Sequence, residues 1–238
     1  MEFVLVLILL IILAVLAVIV SERSKVSRTY DLAHNEPRHS GHFELGGKDK
    51  PNFRFLVLGD SIGSSCGVKD FNRSVGAQLA KKLSERFHVH YVNQAESGKW
   101  MGDFVQEQID GHWDMIALII GSNDVLHGIK PRFRKNVYLA VEKMKRHSPK
   151  VVIAGPGDAS TVPLMPFWLR PLLKRRELKV AQALRKAAKR MGAVYANALE
   201  EPRLTHHIGH DHLHLNDTGD DILYRFIWSK IEERGWFK

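Results

Sequence analysis

Beyond residue 52 the chain alternates short, uninterrupted apolar runs with stretches whose apolar residues recur every three or four positions. Phe53-Arg54-Phe55-Leu56-Val57-Leu58, Met115-Ile116-Ala117-Leu118-Ile119-Ile120 and Val151-Val152-Ile153-Ala154 each stop at a glycine: Gly59, Gly121 and Gly155. His88–Asn93 and Ala193–Ala196 are two further short strands. Apolar runs without polar alternation suit strands covered on both faces. Val75, Leu79, Leu83 and Phe87 define one helix face between them. Phe133, Val137, Val141 and Met144 define another, opened by Pro131. A short helix is expected around Phe104, Val105 and Ile109, a longer one over 171–191, and a closing one carrying Ile222, Leu223, Phe226, Ile227 and Ile231. This alternation predicts an α/β fold: a parallel sheet with helices on both faces and sites beyond the carboxyl ends of its strands.

A chain of 238 residues suits one domain with a substantial core. Its single cysteine, Cys66, excludes an intrachain disulfide and a Cys-rich zinc site. No internal repeat is visible, and no second domain boundary follows Pro51.

Ahead of this domain, Phe3 to Val20 is apolar throughout, with no charge, Pro or Gly. As a helix those 18 residues reach about 27 Å, close to a hydrocarbon core of about 30 Å. A cleaved signal peptide would need a basic start and a small-residue cleavage site. Only Met1 and Glu2 precede the run, and Val18-Ile19-Val20-Ser21-Glu22 follows, so an uncleaved transmembrane anchor over 1–20 is the expectation. Arg23, Lys25 and Arg28 lie on its C-terminal side, which places the following domain on the cytoplasmic face of a single-pass membrane protein. Residues 21–51 are polar and without periodicity and read as a juxtamembrane linker, with the catalytic domain over 52–238. The net charge of +9 is a solvated basic surface or an attraction to anions. Beside an anchor, lipid headgroups are the favoured anion and no nucleic acid is expected.

Four short segments sit where a sheet of this kind forms its sites. Gly59-Asp60-Ser61-Ile62 follows the first strand, where a serine hydroxyl can stand at the sheet edge beside the N-terminus of a following helix. Asn93-Gln94-Ala95-Glu96-Ser97-Gly98 follows the second strand, and its glycine admits close approach of a substrate. Gly121-Ser122-Asn123-Asp124 follows the third and offers an amide donor. Asp211-His212-Leu213-His214 precedes the closing helix, with a carboxylate spaced to orient an imidazole base. Taken singly, each is equally a cap or a turn.

Together, and in this order, the segments resemble the SGNH hydrolase superfamily, the GDSL-type esterases and lipases, over about residues 53 to 233. The resemblance implies a three-layer α/β/α, flavodoxin-like sandwich around a central parallel sheet. It implies Ser61 as nucleophile, His214 as general base and Asp211 as its orienter. The oxyanion hole would comprise the Ser61 and Gly98 amides and the Asn123 side chain, and no cofactor is implied. His212 competes with His214 for the base role, but only His214 fits the Asp-x-x-His spacing. His206 to His214 also invites a metal reading, with six possible ligands in nine residues, although that reading leaves the other three segments unexplained. Thr161 to Leu173 is unusually apolar for a loop. It packs on the core, or forms an acyl-binding wall or lid, with Arg170, Lys174, Arg175 and Arg176 meeting headgroups. The expected substrate is a lipid-like or short acyl ester. The rival is a tethered binding protein for anionic lipid or nucleic acid that has lost catalysis.

Overall fold

The computed structural model describes residues 4, 6–18, 20–21, 36 and 38–237. From the N-terminus these include a helix over 6–18 (α1), then β1 (Gly41–Leu45), β2 (Asn52–Gly59), α2 (Val75–Ser84), β3 (His88–Asn93) and β4 (Met115–Ile119). There follow α3 (Ser122–Leu126), α4 (Phe133–His147), β5 (Lys150–Ala154), α5 (Arg170–Met191), β6 (Val194–Ala196) and α6 (Asp217–Arg234).

The six strands form one sheet in the order β1-β3-β2-β4-β5-β6. Five are parallel, as expected. The sixth corrects the expectation of an all-parallel sheet: β1 runs antiparallel along β3, with Gly41 opposite Asn93 and Leu45 opposite Val89. The polar stretch read as linker over 21–51 therefore contains an edge strand. A half-buried edge strand alternates, and β1 turns Phe43 and Leu45 inward while His42 and Glu44 face solvent. Two apolar side chains in a His- and Gly-rich stretch are too few to stand out as a run.

Alternation along the central strands builds two cores. Phe53, Phe55 and Val57 of β2, with Ala117 and Ile119 of β4, pack against α2 and α6. Leu56 and Leu58, with Ile116 and Leu118, pack against α4 and α5 on the other face. Each central strand is thus apolar on both sides because each side meets a helix layer. Both layers follow from periodicity: α6 buries Leu223, Ile227 and Ile231 at four-residue spacing, as α2 buries Val75, Leu79 and Leu83.

Of the anchor expected over 1–20, residues 1–3, 5 and 19 lie outside the described residues, as do 22–35 and 37 of the linker. Among the described residues no helix is long and apolar enough to cross a membrane. The described side chains of α1 are apolar and stand exposed on every side.

Ile227 is completely buried between α6 and the sheet. Ile227→Ala should lower the unfolding free energy by about 2–5 kcal/mol, seen as a lower denaturant midpoint at unchanged slope.

Candidate active site

In the sheet the chain leaves β2 to one side for β3, then returns past β2 to β4. A crevice opens at such a reversal, between the carboxyl ends of β2 and β4. The Gly59-Asp60-Ser61 and Gly121-Ser122-Asn123 segments leave the sheet at this point.

At the end of β2 the strands come so close that a Cβ on Gly59 would lie 2.2 Å from the Ile119 carbonyl oxygen, so only glycine fits. Asp60 is fully buried. Its amide donates to Ile119 O (3.0 Å) and its Oδ1 accepts from Ile62 N–H (3.0 Å). These bonds leave Ser61 at the rim, partly exposed. The helix N-terminus expected to follow Ser61 is not there. The chain instead winds through turns, with Ser64 N–H bonded to Asp60 O, Ser65 N–H to Ile62 O and Cys66 N–H to Ser61 O, and α2 starts only at Val75. Anion stabilisation beside Ser61 therefore falls to individual amides rather than to a helix dipole.

The 94–101 segment is fastened from both sides. Glu96 N–H donates to Gly59 O (3.1 Å), and Asn93 Nδ2 donates to Gly63 O (3.0 Å). From α3, Asn123 Nδ2 donates to Lys99 O (2.9 Å) and Asp124 Oδ2 accepts from Met101 N–H (3.0 Å). Gly98 adopts φ +86°, and nothing lies within 4 Å of where its Cβ would be, so its backbone borders open space. Among the described residues neither the Ser61 nor the Gly98 amide donates to a protein acceptor. One N–H of Asn123 is used on Lys99, which leaves the second for another acceptor.

The loop before α6 supplies the imidazole. Asp211 is buried, and its Oδ1 accepts from the amides of Leu213 and His214, each at 3.0 Å. Its Oδ2 takes the His214 Nδ1–H at 2.6 Å, the short distance of a charge-assisted bond. His212 adopts φ +59° and its side chain is exposed, so it takes no part in this pair. Of the His-rich stretch, Asp211 joins His214, and His210 reaches Glu36 (2.7 Å); no three ligand atoms gather there among the described residues.

The Ser61 turn and His214 share one neighbourhood, but Ser61 Oγ and the imidazole are not hydrogen-bonded in this structure. The Cys66 thiol lies against His214 instead, and a Cβ on Gly67 would sit 3.3 Å from His214 Cβ. Base–nucleophile bonds are commonly loose before substrate arrives.

Burial and partners set the charges. Burial pulls the His214 pKa down, but its bond to Asp211, the Cys66 thiol and the surrounding negative charge outweigh this and raise it from 6.5 to about 9. Burial pushes Asp211 up, and the bonds from His214 and two amides pull it below the ordinary value. Burial raises Asp60 to about 6 against the Ile62 and Ser122 amides, and raises Asp124 to about 6 against Met101 N–H. Burial also raises Asp220 of α6 to about 7, although Ser65 and Val75 N–H (3.0 Å) bond to it.

Asp60, Cys66, Asp124 and Asp220 have no role in the sequence reading, yet they fasten or surround the site. Asp60 and Asp124 stand inside the quoted segments, next to Ser61 and Asn123. Asp220 reads as an acid in the first turn of a helix, and Cys66 as a small apolar residue.

The fold is an α/β sandwich around a mixed six-stranded sheet, with the candidate site at the carboxyl edge of its parallel strands. The profile of the GDSL-like Lipase/Acylhydrolase family matches residues 57–222, and the chain belongs to that family. It is accordingly a carboxylic ester hydrolase. No curated protein matches it. Among solved structures, LAE5, an alpha/beta hydrolase from the metagenome of Lake Arreo, is similar at TM-score 0.61 and 19% identity, over 77% of this chain and 96% of that one. TesA is similar at TM-score 0.59 and 19% identity, over 76% and 98%. A catalytic mutant of Axe2, an acetylxylan esterase from Geobacillus stearothermophilus, is similar at TM-score 0.58 and 15% identity, over 78% and 96%.

A general-base role would require His214 to be neutral before it accepts a proton. With its pKa raised to about 9, kcat/KM for a soluble ester should climb as pH rises through the alkaline range towards that value. Asp211→Asn removes the partner that raises it. The apparent pKa should fall in a pH–rate profile of the variant, and the plateau rate should drop, about 10⁴-fold where the wrong tautomer results.

Proposed function

We propose that the protein is a membrane-anchored serine hydrolase that cleaves carboxylic esters through an acyl-enzyme. The observation that carries this reading is the buried Asp211–His214 bond of 2.6 Å, set in the crevice against the turn that begins at Ser61. Ser61 Oγ attacks the ester carbonyl as His214 Nε2 takes its proton, Asp211 stabilising the imidazolium. The tetrahedral oxyanion is met by the amides of Ser61 and Gly98 and by the second N–H of Asn123. Collapse expels the alcohol, protonated by His214, and leaves an ester on Ser61. Water, deprotonated by His214, then releases the acid and restores the serine.

Anchoring is supported by the unbroken apolar run from Phe3 to Val20 and by the all-round apolar surface of α1, which no core residue covers. Arg23, Lys25 and Arg28 favour a cytoplasmic catalytic domain. A lipid-like acyl ester is supported by the 162–169 segment that leads into α5. Its Val162 packs inward and its Leu164 N–H bonds His212 O (3.2 Å) in the catalytic loop, while Phe167 and Trp168 stand 74% and 57% exposed. That loop joins the imidazole's support to an apolar surface with Arg170 and Lys174 close by in sequence.

A fluorophosphonate label should map to Ser61 by peptide sequencing, vanish in Ser61→Ala and persist in Cys66→Ser. Hydrolysis of p-nitrophenyl acetate or butyrate should disappear with it. Full-length, folded protein that is inert across acyl chain lengths and takes no label would favour the tethered binder instead. Asn123→Ala should reduce kcat by about 10²–10³ with a smaller effect on KM, measured by steady-state kinetics on the same esters.

A further inference from the structure

At the opposite end of β3 from the catalytic crevice, three potential metal ligands converge: Glu44 exposed, His90 half-buried and His88 buried. Glu44 of β1 stands directly across from His90 in the antiparallel register, and His88 lies two residues back on the same face. His90 Nδ1 is 3.4 Å from Glu44 Oε1 and His88 Nε2 is 3.8 Å from Glu44 Oε2, and all three ligand atoms lie within 4.8 Å of one another.

The other ring nitrogens face acceptors. His88 Nδ1 is 3.3 Å from Gly46 O, and His90 Nε2 is 3.3 Å from Asn52 Oδ1. In the neutral tautomer in which these outer nitrogens hold the protons, Nε2 of His88 and Nδ1 of His90 present lone pairs inward. Two lone pairs then face a carboxylate, at distances too long for good hydrogen bonds. A cation between the three groups resolves that conflict. Outer-nitrogen bonds to oxygen acceptors are also how metal-binding histidines are oriented. Tetrahedral zinc with bonds of about 2.0–2.2 Å separates its ligand atoms by roughly 3.3 Å, so the 3.4 and 3.8 Å distances to the two Glu44 oxygens would need only a modest closing of the side chains. The nearest competing cation in the register, Arg54, is turned away and stacks on Trp113 at 4.6 Å.

We propose that Glu44, His88 and His90 form a binding site for a zinc-class divalent cation, with water completing the coordination at the exposed Glu44 side. Imidazole with carboxylate suits Zn²⁺, Ni²⁺ or Cu²⁺ over Mg²⁺ or Ca²⁺. The ion spans β1 and β3 and takes no part in ester hydrolysis. Its role is to fasten the edge strand, which pairs along one side only, to the rest of the sheet.

The test uses chelator-stripped, full-length protein in detergent, titrated with Zn²⁺ against a chromophoric zinc indicator. The wild type should take up one equivalent more, at micromolar zinc, than either Glu44→Gln or His90→Gln. Zinc at about 100 times Kd should raise the wild-type Tm by roughly 5–10 °C and leave the variants' Tm nearly unchanged. Both variants alter exposed or half-exposed side chains, and retained ester hydrolysis certifies their fold. No zinc uptake by the wild type, or equal uptake and equal Tm shifts in both variants, overturns the site. The second result would assign the binding to other histidines, such as those of 206–214.

Discussion

The reversal of strand order at β2 is the constraint from which the site follows. A chain that steps from β2 to β3 and then back past β2 to β4 sends the connections after β2 and β4 in opposite directions. Their first residues diverge, and the gap between them is lined by the Gly59–Ser61 turn and by the start of α3. Gly59 is the tightest point: the close pass of Ile119 O lets Asp60 go down into the protein and leaves Ser61 at the surface. Past the end of β3 the chain stays bonded to β2 through Gln94 N–H to Val57 O and Glu96 N–H to Gly59 O, and so delivers Gly98 to the same gap. The last part arrives from the far end of the chain, when α6 packs on the sheet and brings the 211–214 turn with it.

Four buried aspartates gather here, while Glu177 and Glu201 are the buried carboxylates elsewhere among the described residues. Asp60, Asp124, Asp211 and Asp220 are all nearly inaccessible, and burial opposes ionisation in each. Only Asp211 is held below its ordinary pKa, because it alone has an imidazolium partner together with two amides. The same bond raises the pH at which His214 becomes neutral and supports the fold. The pair is fully formed above the ordinary carboxylate range and below the ordinary imidazole value of 6.5, and its stabilisation is lost as pH rises through about 9. The Nδ1 proton that ties His214 to Asp211 stays in place in either state, and the proton whose loss a base role requires is the one on Nε2.

Strands covered on both faces were legible because their apolar runs are continuous, and helices such as α2 and α6 because their buried residues recur at four-residue spacing. Edge strand β1 was not, since one exposed face leaves only Phe43 and Leu45 as apolar signal. In the candidate site, Ser61, Gly98, Asn123, Asp211 and His214 lie in segments that follow strands or form a spaced pair, but only the order of those segments, through its resemblance to the SGNH hydrolases, implied roles for them. Asp211's choice of His214 over His212 followed from spacing, and the geometry has a local cause: the turn that bonds both following amides to Oδ1 carries the third side chain back over Oδ2. The contact between Cys66 and His214 had no such signature. Nothing in a lone cysteine indicates that a left-handed residue at Ser65 will swing it towards a histidine 148 positions later.

Local sequence determined which segments are strand, helix or turn, and the chemistry each turn can offer, because apolar periodicity and turn residues act over a few positions. It also determined the eighteen-residue apolar start. Tertiary structure alone decided which turns meet, that a polar stretch closes the sheet as β1, and that Glu44 faces His88 and His90. Those outcomes depend on strand order and register, and these are selected by burying both faces of the whole sheet at once, a condition that no short segment can satisfy by itself.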